Sequence, residues 1–151
     1  MLKDILSISG QSGLFKLISQ AKNSIIVESL IDGKRMPVYS TSRISALEDI
    51  AIYTNEGEEK LTNLLISLFE SKTDINPKAS SNILKEAFEK TLPNYDSDRV
   101  YVSDIKKVFS WYLLLIEKNI INDEAIKAYK ESLEKDNDET EKKEEAKTET
   151  E

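Results

Sequence analysis

The sequence predicts an α+β protein: a small four-stranded antiparallel SH3-like sheet or barrel, then a helical bundle, then a disordered acidic tail. Three observations carry this. Residues 13–54 hold short apolar and β-branched runs broken by turn signals. Residues 58–134 hold apolar residues at spacings of three and four, with helix-capping residues ahead of several runs. Residues 134–151 carry nine acids against four bases and no aliphatic or aromatic residue beyond Ala146, too little to offset the entropy of ordering. The expected organisation is a β module over 1–56, a helical domain over 57–134 and the tail over 135–151.

The β elements follow in order. "GLFKLISQ" (13–20) succeeds a Gly/Ser stretch, and "AKNS" is a turn. "SIIVESLI" (24–31) is β-branched and runs into Asp32-Gly33, a strong hairpin signal. "RMPVY" (35–39) returns, "TSRISALED" (41–49) is a polar connection, and "IAIYT" (50–54) is the fourth strand. A two-residue turn sets Ile31 opposite Lys34, Leu30 opposite Arg35, Val27 opposite Val38 and Ile26 opposite Tyr39. Ile25, Val27, Met36 and Val38 then share a core face, and Ile26, Glu28, Leu30, Arg35 and Tyr39 share the other. Pro37 has no N–H to give, so 35–39 reads as an edge strand.

"NEG" (55–57) is expected to turn the last strand into a helix over 58–72, with Leu61, Leu64, Leu65, Leu68 and Phe69 on its apolar face. Asn76 and Pro77 open a second helix with Ala79, Ile83, Ala87 and Phe88 inward. Ser103 caps a third, whose Ile105, Val108, Phe109, Tyr112 and Ile116 are joined by Trp111, Leu113, Leu114 and Leu115. Apolar residues nearly all round mark it as the central, most buried helix. Asn122 caps the last helix, with Ile121 as a hydrophobic staple.

The chemistry is narrowed by what is missing. With no His and no Cys, disulfides, Cys/His zinc sites and His-based nucleophile activation are excluded. No catalytic residue, metal site or cofactor is assigned, and the chain is not expected to be an enzyme. Asp96, Asp98 and Asp104 lack the Gly and Glu of a calcium loop. They read as acids near a helix N-terminus, with Arg99 locking the loop by ion pairing. "SGQSG" lacks the Gly-Lys-Ser/Thr ending of a phosphate loop. No apolar run is long enough to span a bilayer, and "MLKDILSISG" lacks the apolar core of a signal peptide, so a cytoplasmic protein is expected.

Two binding readings remain. The first is a non-enzymatic adaptor that holds a protein partner on edge strand 35–39 or on the mixed face of Ile26, Leu30, Arg35 and Tyr39. The alternative is RNA or ribosome association through Lys16, Lys22, Lys34, Arg35 and Arg43, although residues 1–54 carry only six bases against five acids. A homo-oligomer is compatible with either.

The segments "SISG…GLFKLISQ", "VESLIDGKRMPVY" and "SALEDIAIYT" resemble an uncharacterised Bacteroidota family of small proteins, a domain of unknown function. "LPNYDSDRVYVSDIKKVFSWY" resembles that family's companion C-terminal helical domain. The resemblance spans most of residues 1–120. It implies a cytoplasmic protein restricted to that phylum, and supplies no activity, substrate or catalytic residue.

Overall fold

The computed structural model describes residues 2–39 and 41–134; the expected tail over 135–151 lies outside them. The α+β class holds. The strands are β1 (Ile5–Ile8), β2 (Phe15–Gln20), β3 (Ser24–Ser29), β4 (Arg35–Tyr39), β5 (Ile44–Ala46), β6 (Ala51–Thr54) and β7 (Gly57–Lys60). The helices are α1 (Leu61–Glu70), α2 (Ser81–Thr91), α3 (Val102–Glu117) and α4 over 123–134. No helix among the described residues is long and apolar enough to cross a membrane.

The sheet differs from the expected one. It has five strands, not four, in the order β4-β3-β2-β1-β5, all antiparallel. β1 and β5 come from stretches too short to stand out in the sequence. The expected fourth strand, β6, pairs instead with β7 in a separate hairpin, so Gly57 turns strand into strand and α1 starts only at Leu61. The backbone of 94–96 lines the other side of β6: the Asn55 N–H donates to the Asn94 carbonyl and the Asp96 N–H to the Tyr53 carbonyl, each at 2.9 Å.

The β3–β4 register is shifted by two residues from the expected one. Ile26 faces Pro37, Val27 faces Met36 and Ser24 faces Tyr39. Only Gly33 in the loop takes a positive φ, +74°, whereas a type I′ turn requires two such residues. The Leu30 N–H is spent on the Leu14 carbonyl (2.9 Å), which draws Leu30 toward β2 and away from β4. The Ser29 N–H donates to the Lys34 carbonyl (2.9 Å), closing a four-residue loop. A slip of two keeps every side chain on its face. The assignment of Ile25, Val27, Met36 and Val38 to one face therefore survives, and β4 is an edge strand as Pro37 implied.

The sheet is rolled, but no closed barrel forms among the described residues. Residues 40–43 link β4 at one edge to β5 at the other. Five Cα steps reach at most about 19 Å, and a flat five-stranded sheet is itself about 19 Å wide. The Ser42 N–H donates to the Tyr39 carbonyl (3.0 Å), a turn that shortens the reach further, so the edges must curl toward each other. The concave side packs on itself: Leu6, Ile8, Phe15, Val27 and Val38 form a core built only of sheet residues.

The second, larger core joins both halves of the chain. Leu2, Ile5, Leu14 and Leu47 from the β part pack in one cluster with α1, α2, α3 and α4. α1 buries Leu61, Leu64, Leu65 and Leu68 as its periodicity requires. α2 begins at Ser81 rather than at Pro77, because the Asn76 side chain accepts the Lys78 N–H (2.9 Å) in an isolated turn. Leu84 and Phe88 thus point inward and Ile83 outward. The N-cap of α3 is Tyr101, not Ser103; the Asp104 carboxylate takes the Tyr101 N–H (3.0 Å), which places that acid at a helix N-terminus as expected. Asn122 caps α4, its side-chain oxygen accepting the Ala125 N–H (2.8 Å), while Ile121 and Ile126 are both buried.

Tyr112 ties α3 to the end of α1. Its buried hydroxyl donates to the carbonyls of Leu68 (3.2 Å) and Thr73 (3.3 Å). Burial, followed by the nearby Asp74 charge, raises the phenol above its ordinary value. The folded state therefore holds this proton more tightly than the unfolded chain. The stability it contributes is complete below pH about 10 and is lost as pH rises beyond that. Tyr112→Phe is expected to cost about 1–2 kcal/mol at neutral pH and to weaken the alkaline loss, measured by urea unfolding at pH 7 and at higher pH.

Candidate functional site

The outer face of the β3–β4 hairpin is divided. Leu30 packs against the main core and is not available. Tyr39 is 61% exposed and Arg35 is exposed, while Ile26 is half-buried. In the observed ladder Tyr39 lies two residues beyond the Ile26–Pro37 pair. The four residues expected to form one face are therefore brought together only in part. Edge-strand recruitment is also limited. The Ser29–Lys34 bond fixes the alternation so that Pro37 points its backbone nitrogen outward, and the free edge lacks its central donor.

The basic set is scattered. Lys16 lies opposite Glu28, which also pairs with Arg35 at 3.3 Å, so one carboxylate sits between two of the five cations. Lys22 and Lys34 stand beyond opposite ends of β3, about 17 Å long. Arg43 precedes β5 at the far edge.

The apolar surface gathers elsewhere, at a groove of about 730 Å³ between the 9–13 loop, the tip of the β3–β4 hairpin and α3. Ile31 at the tip is 54% exposed and Leu113 on α3 is 37% exposed; Trp111 and Leu114 line the groove half-buried, with Lys106, Lys107 and Glu117 around them. Gly13 makes this approach feasible: its φ is +78°, and a Cβ there would strike the Ile31 side chain and sit 3.7 Å from Leu114 Cδ2. The sequence places Ile31 at the end of the strand over 24–31, opposite Lys34, and Leu113 on a helix expected to be buried nearly all round. The available signal was the excess of apolar residues on α3 beyond what one face can bury.

Behind α3 a smaller depression of about 210 Å³ shares Lys107 and Trp111 with the groove. Arg99 lies there, its guanidinium 4.7 Å from the Tyr53 ring centroid and 2.7 Å from the Asp96 carboxylate. The hydrogen bond from Arg99, then that from the Asp98 N–H, holds the Asp96 carboxyl below its ordinary value; Asp96 in turn raises Arg99. This is the loop lock expected of Arg99.

Two family models match the chain. The one described as "Domain of unknown function (DUF5606)" matches residues 2–47, and the one described as "Domain of unknown function (DUF6852)" matches residues 50–115. No curated protein matches. Among solved structures, the solution NMR structure of a Bacteroides vulgatus protein, a structural genomics target, is 44% identical with a TM-score of 0.66, covering 81% of this chain and 90% of that one. The groove is formed where the two matched regions meet, its loop and hairpin tip in the first and α3 in the second. A chain with both regions in this order, and with this degree of identity to a Bacteroides protein over most of its length, belongs to an uncharacterised Bacteroidota family built of two domains of unknown function.

Proposed function

We propose that this chain is a non-enzymatic, cytoplasmic protein-binding module whose contact surface is the groove between the hairpin tip and α3. The observation that carries the reading is the apolar cluster left open there: Ile31 and Leu113, backed by Trp111 and Leu114. Clustered apolar side chains on a folded surface, rimmed by charge, mark contact sites. The lack of His and Cys removes cysteine nucleophiles and histidine bases from any enzymatic reading, and the lack of Cys accords with a reducing compartment. The strand order, with β5 returned beside β1 and the sheet rolled, fits the SH3-like reading of the β module. In that reading the module serves as the scaffold that holds Ile31 over α3. The scatter of Lys16, Lys22, Lys34, Arg35 and Arg43 favours protein over RNA, since a nucleic-acid track needs contiguous cations.

The test is affinity purification from the native cell, with and without nuclease, using the wild type, Ile31→Asp and Leu113→Asp. The expected result is protein recovered with the wild type regardless of nuclease and lost with both variants. Recovery unchanged in the variants defeats the reading; recovery abolished by nuclease replaces it with RNA association.

A further inference from the structure

We infer that the occupant of this surface is a second copy of the same chain, docked through α3 about a two-fold axis. The inference rests on the groove being a protein-binding surface and names the partner. Lys106, Ser110, Leu113 and Glu117 form the exposed ridge of α3 at the groove's rim. Their spacings are four, three and four, the same read from either end, and residues so spaced lie along one side of a helix. A two-fold axis crossing the ridge between Ser110 and Leu113 brings a second α3 alongside in the opposite direction. Lys106 of each copy then faces Glu117 of the other, and the small Ser110 of each faces Leu113 of the other. This is the self-complementarity that an isologous contact requires. Lys106 and Glu117 are separated by about 16 Å along the helix, so one axis satisfies both ends at once.

Two further features agree. Among the described residues neither Lys106 nor Glu117 makes an ion pair, and Glu117 stands in the last turn of α3, where the helix dipole disfavours a carboxylate. In the pair both charges gain a partner. Ile31, across the groove beside Gly13 and Leu114, extends the apolar contact past the ridge. The acidic segment 135–151 carries charge but no aliphatic or aromatic side chain beyond Ala146.

The test is sedimentation velocity on the full chain from about 10 μM to about 1 mM, the range in which a small interface associates. The wild type is expected to dimerise. Lys106→Glu and Glu117→Lys each turn two attractive contacts into two repulsive ones, and each is expected to raise the dissociation constant about tenfold or more. An equimolar mixture of the two variants restores both contacts and is expected to associate as tightly as the wild type. Both positions are exposed, and the thermal midpoint of each variant checks that it folds. A wild type that stays monomeric overturns the inference, as does a dimer indifferent to the reversals or a mixture that fails to recover. A monomeric chain that still captures a different protein in an Ile31-dependent way overturns the two-fold and leaves the groove reading standing.

Discussion

Phe109→Ala is expected to lower the free energy of unfolding by about 3–5 kcal/mol, the largest effect of any single truncation considered. Phe109 is fully buried near the middle of α3. Its ring stands edge-on to Phe88 of α2, centroids 6.4 Å apart, and Phe88 stands edge-on in turn to Tyr95 at 4.9 Å. Removing the Phe109 ring forfeits its burial, the edge-to-face contact with Phe88 and the close packing around both. A domain of this size is stable by about 5–15 kcal/mol, so the variant is expected to be marginally folded at 25 °C. Urea denaturation followed by circular dichroism measures it. A loss under about 1 kcal/mol would mean that the site collapses around the gap and that the α2–α3 interface is softer than the packing implies.

Leu14→Ala is expected to cost about 2–5 kcal/mol and to do so in both halves of the chain at once. Leu14 precedes β2, yet its fully buried side chain belongs to the cluster that includes α1, α2 and α3. Truncating it opens a cavity in the core that the β part and the helices share. Fluorescence of Trp111, which lies on α3, and far-ultraviolet circular dichroism should therefore report one coincident transition, shifted to lower denaturant. Val27→Ala is the informative companion: Val27 is equally buried but lies in the sheet's own core. Separate transitions by the two probes would show that the rolled sheet and the helices unfold independently.

Much of the helical part was legible in the sequence because its signals are local. The Leu spacing of α1, Asn122 as a cap and the Ile121 staple are all decided within one or two turns of chain. The two faces of the β3–β4 hairpin were legible for a related reason: side chains alternate with period two, so even a register error of two residues leaves Val27 inside and Arg35 outside. The expected binding face fared worse. Ile26, Leu30, Arg35 and Tyr39 share a parity, but Leu30 is taken up by the helical half, and parity carries no information about cover.

The sequence by itself thus determined the class, the buried face of α1, the cap of α4, the edge position of β4 and the absence of histidine and cysteine chemistry. Only the tertiary structure decided the pairings between distant segments: β5 beside β1, β6 with β7 rather than in the main sheet, and Leu30 bonded to Leu14 so that the hairpin loop opens to four residues. It also decided which apolar surface stays bare. α3 carries more apolar residues than its neighbours can cover, and which of them is left over depends on where α1, α2 and the rolled sheet come to rest. Leu113 and Ile31 are among the side chains left exposed by that packing, and their meeting at one groove is a property of no single stretch of sequence.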